Sequence, residues 1–132
     1  MKKIITTILS AVILLTIAPA EAATKPLNSK ENKNSCTYIK TKYQLSAMSD
    51  WSNGLKTDQD VIKEIDSNIK MLSSRLIYTN GKIQTQIKYW LSAEKKTKTS
   101  LLNSDIDGVF TAMTLKISYV NNLNKLCKSI GK

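Results

Sequence analysis

Residues 57–81 read TDQDVIKEIDSNIKMLSSRLIYTNG, and the fold turns on how this stretch is parsed. Ile62, Ile65, Ile69, Leu72 and Leu76 stand at steps of three, four, three and four. In a helix of 3.6 residues per turn, that repeat lays the apolar side chains along one line. In a strand it would scatter them over both faces. The stretch opens on Thr57 and Asp60, a hydroxyl and an acid three apart that can cap the first free amides of a helix. Asp58 adds negative charge at the same positive dipole end. Asp66 and Lys70, four apart, can pair on the wet face. The stretch closes on Asn80-Gly81, a pair that tolerates left-handed backbone and ends helices.

Helical periodicity continues on both sides. Cys36, Ile39, Tyr43, Ala47, Met48 and Trp51 share one face, which predicts a first helix from Cys36 to Ser52. Asn53-Gly54 supplies its stop, and Leu55 falls where the stop's apolar contact is made. Ile83, Ile87, Trp90 and Leu91 predict a third helix that loses its apolar side near Glu94, Lys95, Lys96 and Lys98. Ser104, with Asp107 three residues later, predicts the cap of a fourth helix. Ile106, Val109, Phe110, Met113, Ile117, Val120, Leu123 and Cys127 carry that helix to Ile130. No segment alternates at period two for long enough to make a sheet. The expected fold is all-α, a small up-down-up-down four-helix bundle over residues 36–132. One rival keeps the same periodicity: Ile62, Ile69, Leu76, Ile83 and Trp90 are spaced by seven straight through Asn80-Gly81. A single central helix from residue 57 to about 98 would then build an elongated rod, at a cost of about 1 kcal/mol for its internal glycine. The Asn-Gly punctuation favours four helices.

The chain begins with a different kind of segment. Lys2 and Lys3 precede an uncharged apolar run over residues 4–20, and Ala20-Glu21-Ala22 has the small-x-small pattern of a cleavage site. This predicts a cleavable signal peptide over residues 1–22 and an extracytoplasmic product, periplasmic or secreted. Residues 23–35 are polar and almost free of apolar side chains, and are expected to form a disordered tail. No integral membrane span is expected after cleavage, since no later stretch is long and apolar enough. The two cysteines, Cys36 and Cys127, suit an oxidising compartment. A bundle of this topology brings the start of its first helix and the end of its fourth to the same end, so a disulfide between them is expected. Closing so long a loop is worth roughly 4–5 kcal/mol in the chain-entropy account.

The chain carries 20 Lys+Arg against 10 Asp+Glu and no histidine. Losing residues 1–22 removes two lysines and one glutamate, so the net +10 becomes +9. The missing imidazole excludes Ser-His and Cys-His nucleophile pairs and histidine-ligated metals. There is no glycine-rich phosphate loop and no Cys-x-x-Cys pair. The carboxylates read as surface charge. Asn103 to Gly108 spaces its oxygens like the start of an EF-hand loop, but Thr114 stands where the closing glutamate is required, and a capped helix start accounts for the same residues. No enzyme activity, cofactor or metal is expected.

Positive charge is what remains to offer a partner. Lysines alternate with aromatic residues at Lys40 and Lys42, between Tyr38 and Tyr43, and again at Lys88 beside Tyr89 and Trp90. Lys95, Lys96 and Lys98 form a further cluster. These six lysines are the candidate contacts for an anionic partner, through neutralisation of its charges and stacking on aromatic faces. The expected function is an exported, non-catalytic binding or structural module contacting an acidic protein or an anionic envelope polymer. The alternative is an immunity or inhibitor protein that binds a toxin or a wall hydrolase. Nucleic acid has no specific feature in its favour, and homodimerisation through the heptad seam of the second helix stays open.

Overall fold

The computed structural model describes residues 29–43 and 46–130. The signal peptide expected over residues 1–22 lies outside them. Among the described residues five α-helices follow one another: α1 Lys30–Lys42, α2 Ser46–Ser52, α3 Asp58–Arg75, α4 Gly81–Leu102 and α5 Ile106–Ile130. A 3-10 turn, Leu76–Tyr78, follows α3. Among the described residues there is no strand. α1 and α2 together make the first leg of an antiparallel bundle whose other legs are α3, α4 and α5, so the four-legged topology expected from the periodicity is present.

The first leg departs from expectation at its start and in its middle, and ends at Ser52 as expected. It starts earlier, because Ser29 caps α1 and accepts a hydrogen bond from the Asn32 amide at 3.3 Å. Residues 30–35, expected as part of a disordered tail, are therefore helical; residues 23–28 lie outside the described part. The physical reason is polar docking rather than apolar burial. The Asn80 amide donates to Asn32 Oδ1 at 3.0 Å, and Asn32 Nδ2 donates to Asn80 Oδ1 at 3.2 Å. Ser35 Oγ donates to the Tyr78 carbonyl at 3.4 Å. Asn32 and Ser35 are completely buried by these contacts. The leg is also broken: the expected single helix from Cys36 to Ser52 leaves helical geometry at Tyr43, where ψ is 151°. Thr41 Oγ1 donates back to the carbonyls of Thr37 and Tyr38, a bond that competes with the helical ladder just before the break. Ile39, Ala47 and Met48 are buried on either side of it, so the core face survives.

The turns show why the remaining legs end where they do. α2 closes with Gly54 at φ +74°, with Leu55 N bonded to Asp50 O at 2.7 Å and Gly54 N to Trp51 O at 3.0 Å. This pair of bonds is the Schellman stop that Asn53-Gly54 predicts. Leu55 itself is 75% exposed and makes no apolar closure. Thr57 and Asp60 form the expected reciprocal capping box on α3. After Tyr78 the chain is extended at Thr79 and Asn80, and Gly81 opens α4 at φ +55°. The long central helix of the rod alternative is therefore not formed, and Asn80 uses the freed backbone to hold Asn32. α4 ends in a second Schellman stop with Ser104 in the left-handed position at φ +56°. The cap of α5 is consequently Asp105, not the expected Ser104: Asp105 Oδ1 accepts from the Gly108 amide at 3.0 Å.

Two apolar cores fill the bundle. One holds Ile39, Leu72, Ile83, Ile87, Trp90 and Leu123, with the Cys36–Cys127 disulfide packed against it at an S–S distance of 2.05 Å. The other, at the opposite end, holds Ala47, Met48, Val61, Ile65, Leu101 and Val109. Burying each large aliphatic side chain contributes about 1.5–3 kcal/mol relative to leaving it in water. No helix among the described residues is long and apolar enough to cross a membrane.

Candidate functional site

Polar groups, some of them charged, are buried alongside these two cores. Glu94 and Thr97 of α4, Lys116 of α5 and Asn68 of α3 are all 0–1% exposed, and Glu64 of α3 is 6% exposed. Lys116 Nζ lies 2.7 Å from Glu94 Oε1, which also accepts from Trp90 Nε1 at 3.0 Å. Glu64 Oε1 accepts from the Ala47 amide at 3.2 Å and so ties α2 to α3. Glu94 Oε2 and Glu64 Oε2 have no hydrogen-bond partner, and Lys116 Nζ makes its ion pair without hydrogen-bond geometry. Burial pushes the Glu94 carboxyl above the ordinary value; the Lys116 ammonium and the Trp90 indole pull it back, and the Glu64 charge adds a smaller upward push.

Glu64 and Glu94 correct the reading of all carboxylates as surface charge. Their burial follows from phase. The buried line of α4 runs Ile83, Ile87, Trp90, Glu94, Thr97, Leu101, at alternating steps of four and three. Lys116 stands likewise between Ala112 and Val120 on α5. The sequence signal was a charged residue falling in step with its apolar neighbours. Among the described residues, no three His, Cys, Asp or Glu side chains gather as a metal site.

The six candidate lysines are divided among separate places. Lys40 and Lys42 lie exposed on α1. Lys40 and Lys128 flank a groove of about 370 Å³ between α1 and α5, beside the disulfide. Lys88, Lys95 and Lys96 are exposed on α4. Lys95 and Lys96 line a groove of about 490 Å³ between α4 and α5. Lys98 is turned toward α3, where its Nζ donates to Asp66 Oδ1 at 2.7 Å. Asp66 therefore pairs across helices instead of with Lys70. Sequence reading missed two further lysines on the α4–α5 seam: Lys82 and Lys125 line a groove of about 350 Å³ at its other end. Lys82, Tyr89 and Lys96 stand seven apart, and that spacing was the available signal.

Charge is unevenly distributed as a result. α4 carries five lysines, and its single carboxylate, Glu94, faces inward. α3, by contrast, mixes Asp58, Asp60 and Asp66 with Lys63 and Lys70 on its exposed side. The aromatic groups beside the lysines have varied surroundings. Tyr43 meets Trp90 edge-on at 5.7 Å, and Arg75 sits over both Tyr38 and Tyr78. Tyr89 is half exposed and leans on Tyr119 at 5.3 Å.

α5 also exposes side chains expected in the core. Ile106, Phe110 and Ile117 are each about half exposed, and Leu102 at the end of α4 is 62% exposed. They lie one residue round the helix from the buried line of Val109, Ala112, Lys116 and Val120. Trp51 of the short α2 reaches Phe110 at 6.0 Å.

No protein-family model, curated protein or solved structure matches the chain.

Proposed function

We propose that the chain is an exported, non-catalytic binding module whose partner is acidic, an anionic envelope polymer in the first instance. The observation that carries this reading is the charge of α4: Lys82, Lys88, Lys95 and Lys96 are exposed, Lys98 pairs with Asp66, and the helix's single carboxylate is turned inward and matched by Lys116. A net charge of +10 spread evenly would serve solubility, whereas cations gathered on one helix raise the local concentration of an anionic partner. The paired cysteines and the signal-like residues 1–22 support export.

The test is retention of the oxidised chain on an immobilised polyanion as salt rises. Counterion release predicts a steep fall in affinity with salt. Equal retention at low and high salt would overturn the polymer reading. A second reading, an immunity or inhibitor protein, draws support from the exposed apolar stripe of Ile106, Phe110 and Ile117. It predicts a stoichiometric protein complex that survives high salt and is lost on substituting Phe110 with Ser.

A further inference from the structure

The grooves between α4 and α5 belong to one seam. On α4 their walls step through Lys82, Thr85, Tyr89, Ser92, Lys96 and Thr99, each three or four residues on. On α5 they step back through Leu126, Asn122, Tyr119, Leu115 and Thr111. A small pocket at Tyr89 and Tyr119 shares Ser92, Lys96 and Leu115 with the larger groove above it. At 1.5 Å per residue the lining from Lys82 to Ser100 gives the seam a length of about 27 Å.

We propose that this seam is a binding track for a linear, sparsely charged acidic polysaccharide. The inference rests on the acidic-partner reading above and names the surface and the ligand. Three features of the lining select that chemistry. Cations cluster near the ends, Lys82 and Lys125 at one and Lys95 and Lys96 at the other, with about 21 Å of helix between Lys82 and Lys96. A nucleic-acid strand, with a charge every 3.4 Å along a duplex, would leave most of its phosphates over a middle flanked by one lysine, Lys88, which lines none of the grooves. That middle is hydroxyl and aromatic, with Thr85, Ser92 and the Tyr89–Tyr119 pair, which suits a hydroxyl-rich ring lying against an aromatic face. The third feature is the pair of amide side chains, Gln86 and Asn122, that line the lower groove. An amide both donates and accepts, which matches a sugar hydroxyl, whereas an ionised phosphate or carboxylate only accepts. Asp105 and Asp107, beyond the upper groove, set the limit of the track by repulsion.

The probe is a hyaluronan oligosaccharide, which carries one carboxylate per disaccharide, titrated into the isotope-labelled oxidised chain. Oligothymidylate and polyglutamate serve as comparison ligands. The expected result is amide shifts confined to the facing flanks of α4 and α5. K82Q/K96Q and Y89A should each weaken binding about tenfold, while K40Q/K42Q on α1 changes it less than twofold. All these side chains are exposed, and unchanged helical circular dichroism shows that the variants fold. Hyaluronan binding that follows Lys40 and Lys42 would overturn the track and leave the acidic-partner reading standing. Tighter binding of oligothymidylate or polyglutamate than of hyaluronan would overturn the polysaccharide assignment. Failure of all three polyanions to bind would remove both the track and the reading beneath it.

Discussion

Replacing Lys116 with Met strips the buried carboxylate of Glu94 of its cation. Met fills nearly the volume of the lysine stem, so the change is electrostatic more than steric. Glu94 is fully buried and Lys116 is 1% exposed, so water cannot take over the lost contact. Removing one member of a buried pair typically costs about 3–5 kcal/mol. That is a large part of the 5–15 kcal/mol that holds a domain of this size. In urea, at a slope of about 2 kcal/mol per molar, the midpoint should fall by roughly 2 M. The sign of the pH dependence follows from Glu94. Its folded-state pKa is raised above 4.5 by burial, so the folded state holds the proton more tightly than the unfolded chain. The group's contribution to stability is therefore greatest below about 4.5 and is lost as pH rises through the raised folded value. Without Lys116 that folded value moves higher still, because burial still disfavours the charged carboxylate and the ammonium that held the value down is gone. The deficit of K116M should thus be full at pH 7.5 and shrink as pH falls toward 5. E94Q/K116M, which removes both charges and keeps an acceptor for Trp90, should recover most of the loss. Urea melts of the three proteins at both pH values, with the disulfide intact, give the comparison. An unchanged midpoint at pH 7.5, or a deficit independent of pH, would falsify the burial of this pair.

Other perturbations probe the remaining contacts. Substituting Cys36 and Cys127 with Ser should cost roughly 4–5 kcal/mol for a loop of 91 residues, read as a fall in thermal midpoint that reductant reproduces in the parent chain. Asn32→Ala leaves the buried Asn80 amide without its acceptor, and should cost about 1–3 kcal/mol and speed hydrogen exchange across the start of α1. Thr57→Ala should cost about 1 kcal/mol by uncapping α3. Asp60, whose pKa is lowered chiefly by its hydrogen bond from the Thr57 amide, contributes stability above its unfolded value of 3.8 that is lost as pH falls through the lower folded value. The stability gap between the parent and Asp60→Asn should therefore close in strong acid; a gap that persists there would count against the cap.

The number of legs, the Gly54 stop and the Thr57–Asp60 cap could be read from local rules, while the break at Tyr43 and the cap at Asp105 could not. A 3.6-residue period, a Thr57–Asp60 capping pair and Asn-Gly stops act over a few residues, and each leaves its mark in the order of the chain. Even the pairing of Cys36 with Cys127 follows from counting legs. Where local composition pointed one way and distant partners another, the reading failed. Residues 30–35 look like tail because they are polar, yet Asn32 is buried against Asn80, 48 positions away. Glu64, Glu94 and Lys116 look like surface because they are charged, yet three separate legs place them inside. Ile106, Phe110 and Ile117 look like core because they are apolar, yet they fall beside the buried line of Val109, Ala112, Lys116 and Val120 and stay about half exposed. The candidate lysines were visible as residue types, but which of them share a groove depends on how α4 rolls against α5. Local rules reach one turn of helix along the chain; burial, ion pairing and grooves are made between legs, and the rotation of each leg about its axis is settled only when all four pack together.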